Sequence, residues 1–323
     1  MSLHITALSI VIVNSDGTED TLRCIESIYA NPPSASFEIV LVDNRSRIPC
    51  LPLVHERFPK VRTFSAPRRQ GFARNYNLGI REAHGAYVLI LNNDTLVHRD
   101  ALDGLIGALR DHPEYGMVGP QIRGTNDRIQ PACARPLISP RRYLWHILPA
   151  DLGHPLGRLI ERIESRRLER RPSGPVPCIV GACMLVRRSD LDTLGLLDEG
   201  YDFYYEDVEW CHRVWAQGLQ VAYIAEARIT HLGDQSLSKV KVWAKQSEYR
   251  SALRYFRQYY HLTQRQAWVI WFVTALNFLL RGSIFLAQEA ATSKMSYARA
   301  YFYLWSWVLR RHPASADITE MLG

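Results

Sequence analysis

The apolar positions of this chain follow two rhythms that alternate over its first hundred or so residues. "LSIVIVN" (8–14) is a continuous apolar run rich in β-branched residues. "FEIVLVDN" (37–44) and "AYVLILNN" (86–93) repeat that texture, with a shorter version at "KVRTFSA" (60–66). Runs this short and largely apolar read as buried strands. Between them the spacing lengthens. In "TEDTLRCIESIYA" (18–30), Leu22, Ile25, Ile28 and Tyr29 fall on one helical face. Residues 71–85 and 99–113 also read as helices, with Gly85 and Pro113 as their stops. Strands separated by helices predict parallel β-α-β units, with helices on both faces of one sheet. In such sheets ligands collect beyond the carboxyl ends of the strands. Asn14, Asp43 and Asn92–Asp94 each close an apolar run, so the pattern gathers them at one edge.

The rhythm breaks near Arg135. Residues 135–171 hold nine arginines and four acids among scattered Ile, Leu and Trp. They read as a basic, partly amphipathic insertion, either a solvated helical face or a surface for anions. Helical spacing returns in "DEGYDFYYEDVEWCHRVWAQG" (198–218), where Val208, Cys211, Val214 and Trp215 mark one face and Gly218 ends the helix. A strand-like "QVAYIAEA" leads on to "ITHLGDQS" (229–236), and "EYRSALRYFRQYYH" (248–261) is a basic aromatic helix. Residues 267–288 are the most apolar stretch, interrupted by Asn277, Arg281 and Gly282. A spanning helix needs about 20 largely apolar residues. Tryptophans and flanking cations suit a segment lying in the membrane interface. A packing helix and a single span fit the same composition. The expected division is a main domain over 1–260, carrying the basic insertion, and a helical, membrane-associated extension over 261–323.

Composition narrows the function classes. At 47% hydrophobic and 22% charged, the 323 residues suit a folded chain. The net charge of +7 favours anionic partners: phosphorylated small molecules, acidic lipid surfaces or nucleic acid. The basic residues cluster in the insertion and the tail with no recognised binding motif, so nucleic acid is not expected. Six cysteines, at 24, 50, 133, 178, 183 and 211, form no Cys-x-x-Cys and flank no His at zinc spacing. They read as free thiols in a reducing compartment. Met1–Thr6 lacks the basic region of a signal peptide. The expected location is cytoplasmic, peripheral at the cytoplasmic face of the inner membrane. Gly-x-Gly-x-x-Gly, Gly-x-x-x-x-Gly-Lys, His-Glu-x-x-His and Gly-x-Ser-x-Gly are absent, so the chemistry must use the strand-end carboxylates.

Asp43 in "LVDNRS" can accept hydrogen bonds from a donor such as a pyrimidine N–H, or form an Asx turn. Asp94 in "LNNDT" can serve as a turn former, or as one ligand of a hard cation that completes its shell with water and phosphate. Between 198 and 210 stand five aromatics and six acids, more than helix capping needs. Glu206 and Asp207 fall in the first helical turn, where the dipole favours acids. As adjacent residues they do not share a face, so they have separate jobs. One of them can be a general base for an alcohol nucleophile. His231, at a strand end, can be a metal ligand or a phosphate donor.

Six stretches, in order, resemble the family 2 inverting glycosyltransferases with the GT-A fold, especially their rhamnosyltransferase-like branch. They are "SIVIVNSDGTEDTLRCIESI", "EIVLVDNRS", "RQGFARNYNLGI", "YVLILNNDT", "GACMLVRRSDLDTLGLLDEGYDFYYEDVEWCHRVWAQG" and "ITHLGDQS", covering about residues 7–260. The resemblance implies an α/β GT-A fold: a mainly parallel central sheet flanked by helices, with a C-terminal helical extension. It implies a nucleotide-diphosphate sugar bound across the strand ends. Asn14 and Asp43 would contact the nucleotide, Asp43 at the pyrimidine base. Gly71, Phe72, Arg74 and Asn77 would line the cleft, and Asn93 and Asp94 would meet the donor. Asp94 would be the surviving acid of an Asp-x-Asp metal motif in which Asn92 replaces the first acid. With His231 it would hold Mg2+ or Mn2+. Asp207 would be the base, Glu206 would support it or bind acceptor, and Gly181 and Ala182 would form the wall near donor sugar and acceptor. The implied reaction moves rhamnose from dTDP-rhamnose to a hydroxyl of a glycan or lipid-linked acceptor in cell-surface polysaccharide synthesis. A UDP-sugar donor (galactose or N-acetylglucosamine), or a catalytically silent carbohydrate- or membrane-binding scaffold, are the alternatives.

Overall fold

A computed structural model of the chain describes residues 6–147, 155–233, 242–289, 296–311 and 313. The chain divides into two compact units: Met1–Leu137, Glu164–Asp202 and Glu206–Gly233 in the first, and Ile138–Ile163, Phe203–Tyr205 and Asp234–Gly323 in the second.

The first unit is built on a nine-stranded sheet. Its strands are β1 (Leu8–Asn14), β2 (Phe37–Asp43), β3 (Arg62–Ser65), β4 (Tyr87–Asn92), β5 (Thr95–Val97), β6 (Tyr115–Arg123), β7 (Gly174–Pro175), β8 (Cys183–Arg187) and β9 (Gln220–His231). Their order is β3-β2-β1-β4-β8-β6-β9-β5, with β7 on β9. Helices α1 (Thr18–Ala30), α2 (Leu51–Arg57), α3 (Phe72–Glu82), α4 (Ala101–Asp111), α7 (Leu191–Leu194) and α8 (Glu206–Ala216) belong to this unit. The apolar runs are the core: Ile10, Val11 and Ile12 of β1, Ile39 to Val42 of β2 and Val88 to Leu91 of β4 are buried. Full burial of each such side chain contributes roughly 1.5–3 kcal/mol.

Register explains the site. β1 and β2 are parallel with Asn14 opposite Asp43, and β4 lies parallel on the other side of β1 with Asn92 opposite Val13. The strand-closing polar residues therefore line up at one edge. The other half of the sheet departs from the expected parallel pattern and makes the whole sheet mixed. β8 is antiparallel to both β4 and β6, and β9 is parallel to β6 but antiparallel to β5. β8 begins beside the carboxyl end of β4, with Cys183 opposite Leu91. Entering the sheet from that edge, it runs back along β4 and needs no crossover helix.

The helices are shorter than their sequence patterns. The 71–85 segment is helical only to Glu82. Gly85 is not its cap: a Cβ there would lie 2.5 Å from the Ser9 nitrogen, so the glycine permits a close pass over β1. Residues 198–205 precede α8 rather than belonging to it. Gly218 does occupy the left-handed position after α8, with φ +76°.

The described part of the second unit is helical, with α5 (Pro140–Ile147), α9 (Val242–Tyr260), α10 (Gln264–Glu289) and α11 (Ser296–Leu309); α6 (Pro155–Glu169) crosses the boundary between units in sequence. α10 and α11 pair as a hairpin. Gln264 Nε2 donates to the Pro313 carbonyl, Trp271 Nε1 to that of Val308, and Phe285 stacks on Tyr297 and Tyr301. The three residues that interrupt the apolar run all face inward. Arg281 is buried, donating to Asn277 Oδ1 at 3.0 Å and to the Tyr301 hydroxyl at 3.3 Å. A Cβ on Gly282 would meet the Phe302 ring at 3.0 Å. The outward face of α10 therefore carries Trp268, Val269, Phe272, Leu276, Leu280, Ile284 and Leu286, all exposed.

Candidate active site

The buried amide of Asn14 organises the ends of β1 and β2. Its Nδ2 donates to Asp43 Oδ1 at 3.0 Å and Ser46 Oγ at 2.9 Å. Its Oδ1 accepts from the Gly17 nitrogen and the Thr21 hydroxyl, each at 3.0 Å. Asp43 also receives the Ser46 hydroxyl at 2.6 Å on Oδ1 and the Ser46 nitrogen at 3.2 Å on Oδ2. Cys50 donates to Oδ1 at 3.6 Å, and burial together with the Asp43 charge pushes its thiol up to about 12, so it stays protonated. Oδ2 of Asp43 is thus the less committed oxygen. Asn93 is a brace: its Nδ2 donates to Thr21 Oγ1 at 2.9 Å and to the Gly17 carbonyl at 3.2 Å, pinning the end of β4 to the start of α1. Asn92 faces Tyr76, whose hydroxyl lies 3.1 Å from its Oδ1.

One residue on, Asp94 meets His231, with Oδ1 3.2 Å from Nε2. The pairing of β5 with β9 sets Thr95 opposite His231, and the Leu232 nitrogen donates to the Asp94 carbonyl at 2.8 Å. Gln130 orients the histidine ring. Its Nε2 donates to the His231 carbonyl at 3.3 Å, which turns Oε1 toward Nδ1 at 3.1 Å. With Nδ1 turned to that oxygen, Nε2 points at the Asp94 carboxylate. A ring nitrogen and a carboxylate oxygen at that distance can share a proton or serve as two ligands of a metal ion. No group of three or more His, Cys, Asp or Glu placed to hold a metal ion occurs among the described residues, so these two donors would leave most of a metal's shell to water and phosphate oxygens.

The third group lies where β8 begins. The Asn92 nitrogen donates to the Ala182 carbonyl at 2.9 Å, which ties residues 181–182 to the end of β4. The Gly181 nitrogen donates to Asp207 Oδ2 at 3.1 Å, and Arg135 Nη2 donates to the same oxygen at 3.0 Å. Asp207 Oδ1 takes the Val208 nitrogen at 2.8 Å. A Cβ on Gly181 would sit 3.3 Å from Asp207 Cβ and 3.4 Å from the Phe72 ring, so these three residues form one wall. Glu206 has a different environment. It is buried, its Oε2 has no hydrogen-bond partner, and burial plus the Asp207 charge raise its pKa well above the ordinary carboxylic range.

Arg74 and Asn77 belong to a separate brace. Arg74 pairs with Glu199 at 3.1 Å, and Asn77 donates to the Leu197 carbonyl at 2.9 Å and to Glu199 Oε1 at 3.0 Å. Gly71 is required by contact as well: a Cβ there would lie 2.3 Å from the Asp202 carbonyl oxygen. The structure thus gathers Asn14, Asp43 and Asn93; Asp94 and His231; and Asp207, Gly181 and Phe72. It engages Arg74 and Asn77 with the 197–199 loop.

Residues 9–195, more than half of the chain, match the profile of the family described as Glycosyl transferase family 2. The chain belongs to that family.

Curated proteins and solved structures also resemble the chain. It is 27% identical over 263 residues to N-acetylglucosaminyl-diphospho-decaprenol L-rhamnosyltransferase of Mycobacterium tuberculosis, covering 78% of this chain and 82% of the relative. It is 25% identical over 264 residues to the O-antigen biosynthesis protein RfbC of Myxococcus xanthus, covering 75% of this chain and 19% of that longer protein. Among solved structures, GalNAc-T7 with UDP, GalNAc and Mn2+ superposes with a TM-score of 0.57 at 18% identity, over 79% of this chain and 48% of that one. The mannosyltransferase PcManGT from Pyrobaculum calidifontis, in complex with GDP-Man and Mn2+, gives 0.51 at 15% identity, over 94% and 84%. At such identities the likeness shows the fold, which is GT-A.

In this family 2 glycosyltransferase Arg135 and Gln130 touch the candidate residues Asp207 and His231, yet neither stands out in the sequence as a site residue. Arg135 reads as the first arginine of the basic insertion; only its distance from the next, Arg141, sets it apart. Nothing in the sequence marks Gln130.

Proposed function

We propose that this glycosyltransferase moves rhamnose from dTDP-rhamnose, with inversion, to a hydroxyl of a lipid-linked or glycan acceptor in cell-surface polysaccharide synthesis. The observation that carries the reading is the Asp207 carboxylate, set in the wall formed with Gly181 and Phe72, which is tied by Ala182 to the edge that presents Asp94 and His231. Asp207 removes the proton of the acceptor hydroxyl, whose oxygen bonds to the anomeric carbon. The bond from that carbon to the diphosphate breaks, and its electron pair leaves with the diphosphate. Asp94 and His231 would hold a divalent cation, Mg2+ or Mn2+, which when bound neutralises charge on the leaving group. Asn14 and Asp43 would contact the nucleotide, Asp43 at the pyrimidine base. The acceptor class rests on the name of the mycobacterial relative and the cation on the Mn2+ of the two neighbours. We further propose peripheral attachment at the cytoplasmic face of the inner membrane, supported by the exposed apolar face of α10.

A panel of sugar nucleotides, read by release of nucleoside diphosphate with Mn2+ present, tests the reading. Release from dTDP-rhamnose is expected. Release from UDP-galactose or UDP-N-acetylglucosamine instead would reassign the donor. Binding without release from any donor would make the protein a silent scaffold. Asp207→Asn is expected to lower transfer by about 100-fold or more while leaving dTDP affinity unchanged; full activity in that variant would remove Asp207 as the base.

A further inference from the structure

We infer that Arg135 is the positioning residue of the reaction: it fixes which of two adjacent carboxyls is the base, and which oxygen of that base receives the proton. The inference rests on the reading of Asp207 as base.

The geometry is specific. Arg135 reaches Asp207 from the segment before α5, held by an antiparallel bridge to Cys178 through its own nitrogen, 2.9 Å from the Cys178 carbonyl. Its side chain is 28% exposed and that of Asp207 10%, so the ion pair is largely screened from water. Breaking such a pair by removing one partner strands the other charge. A carboxylate offers about four lone-pair sites. On Oδ2 both are used, by Arg135 and the Gly181 nitrogen; on Oδ1 only Val208 N–H is bound. The free lone pair on Oδ1 is therefore the one that takes the acceptor's proton.

The surrounding groups make the arginine necessary. Asp207 is faced by Glu206 and Cys211 on α8, by Cys178 before β8 and by Arg135; Tyr76 of α3 lies near Glu206. Among these, only Arg135 is cationic. Two neighbouring carboxyls sharing a buried site hold a proton between them, and a cation beside one sends it to the other. Arg135 sits on Asp207, so the proton belongs to Glu206.

The test is a pH profile of dTDP-rhamnose turnover, or of whichever sugar nucleotide the panel selects. Arg135→Met is expected to move the acid limb of kcat upward by about one pH unit or more. Its deficit would be largest on the acid side of the limb and would vanish above it. Arg135→Lys is expected to restore the wild-type acid limb at reduced kcat, because a lysine supplies the charge without the fork. dTDP affinity verifies folding, and Arg135→Gln provides the same neutral comparison if the Met variant does not fold. A deficit of equal size at every pH, or a change confined to KM, would overturn the inference. It would do so without touching the base assignment, which fails only if Asp207→Asn remains active.

Discussion

Glu206 and Asp207 are adjacent, and their partners set them apart. Asp207 is met by a guanidinium and two backbone N–H groups, whereas Glu206 is enclosed with an unbonded oxygen. A neutral Glu206 has a measurable consequence. An unfolded glutamic acid loses its proton near about pH 4.3, but burial and the Asp207 charge hold the folded one well above that. Between the two values the native state carries the extra proton, so stability falls as pH rises through that window. The loss is on the order of 1 kcal/mol per pH unit. Glu206→Gln removes it. The melting temperature of the variant relative to wild type is expected to climb from pH 4 to pH 8, and parallel curves across that range would show Glu206 to be ionised. Because glutamine mimics the neutral acid, transfer should stay within about tenfold of wild type, in contrast to Asp207→Asn.

At the scale of elements, β9 and β5 bring together the two residues proposed to hold a cation. His231 ends a twelve-residue strand, and its pairing with the short β5 sets it beside Asp94. That contact spans 137 positions of sequence, which no local pattern can reveal; the strand ends themselves were legible because the runs at 8–14, 37–44 and 86–93 are mostly apolar and close on Asn or Asp. The antiparallel entry of β8 was equally hidden, since "CMLVR" reads the same in either direction of pairing. Gln130 orients His231 from outside any motif. Outer partners of this kind are worth about 10–100-fold in metal affinity, so Gln130→Leu should weaken Mn2+ binding by about tenfold, read from free Mn2+ by electron paramagnetic resonance. Asp94→Ala should weaken it further. Mn2+ affinity unchanged in both variants would remove this pair as the cation site. The start of α3 gives a structural counterpart. Gly71 lies where a Cβ would enter the Asp202 carbonyl, so Gly71→Ala should cost about 1–3 kcal/mol in urea unfolding.

For the molecule as a whole, the question is what the outward face of α10 meets. In the sequence, Asn277 and Arg281 made residues 267–288 look broken, because a linear pattern does not tell an inward polar residue from an outward one. In the fold Arg281 is buried against Asn277 and Tyr301, and the outward face from Trp268 to Leu286 carries no charged residue. Phe272 is 59% exposed and Leu280 48%. Contiguous apolar surface on this scale marks a contact with another molecule or a membrane. Over Gln264–Ala287 the helix is long and apolar enough to cross a membrane, while its inner face is committed to α11; attachment in the plane of the interface is the proposal that vesicle binding tests. The hairpin brings Arg265 and Arg310 to one end, where anionic headgroups would be met. The intact protein is therefore expected to float with vesicles of phosphatidylcholine and phosphatidylglycerol. Salt should reduce binding only in part, since screening acts on the arginines and not on the apolar face. The double variant Phe272→Asp, Leu280→Asp should lose about tenfold or more of the bound fraction while retaining dTDP affinity. If wild type stays unbound and elutes as a dimer that this double variant disrupts, the face is a contact between two copies of the chain, and attachment to the membrane through α10 is wrong.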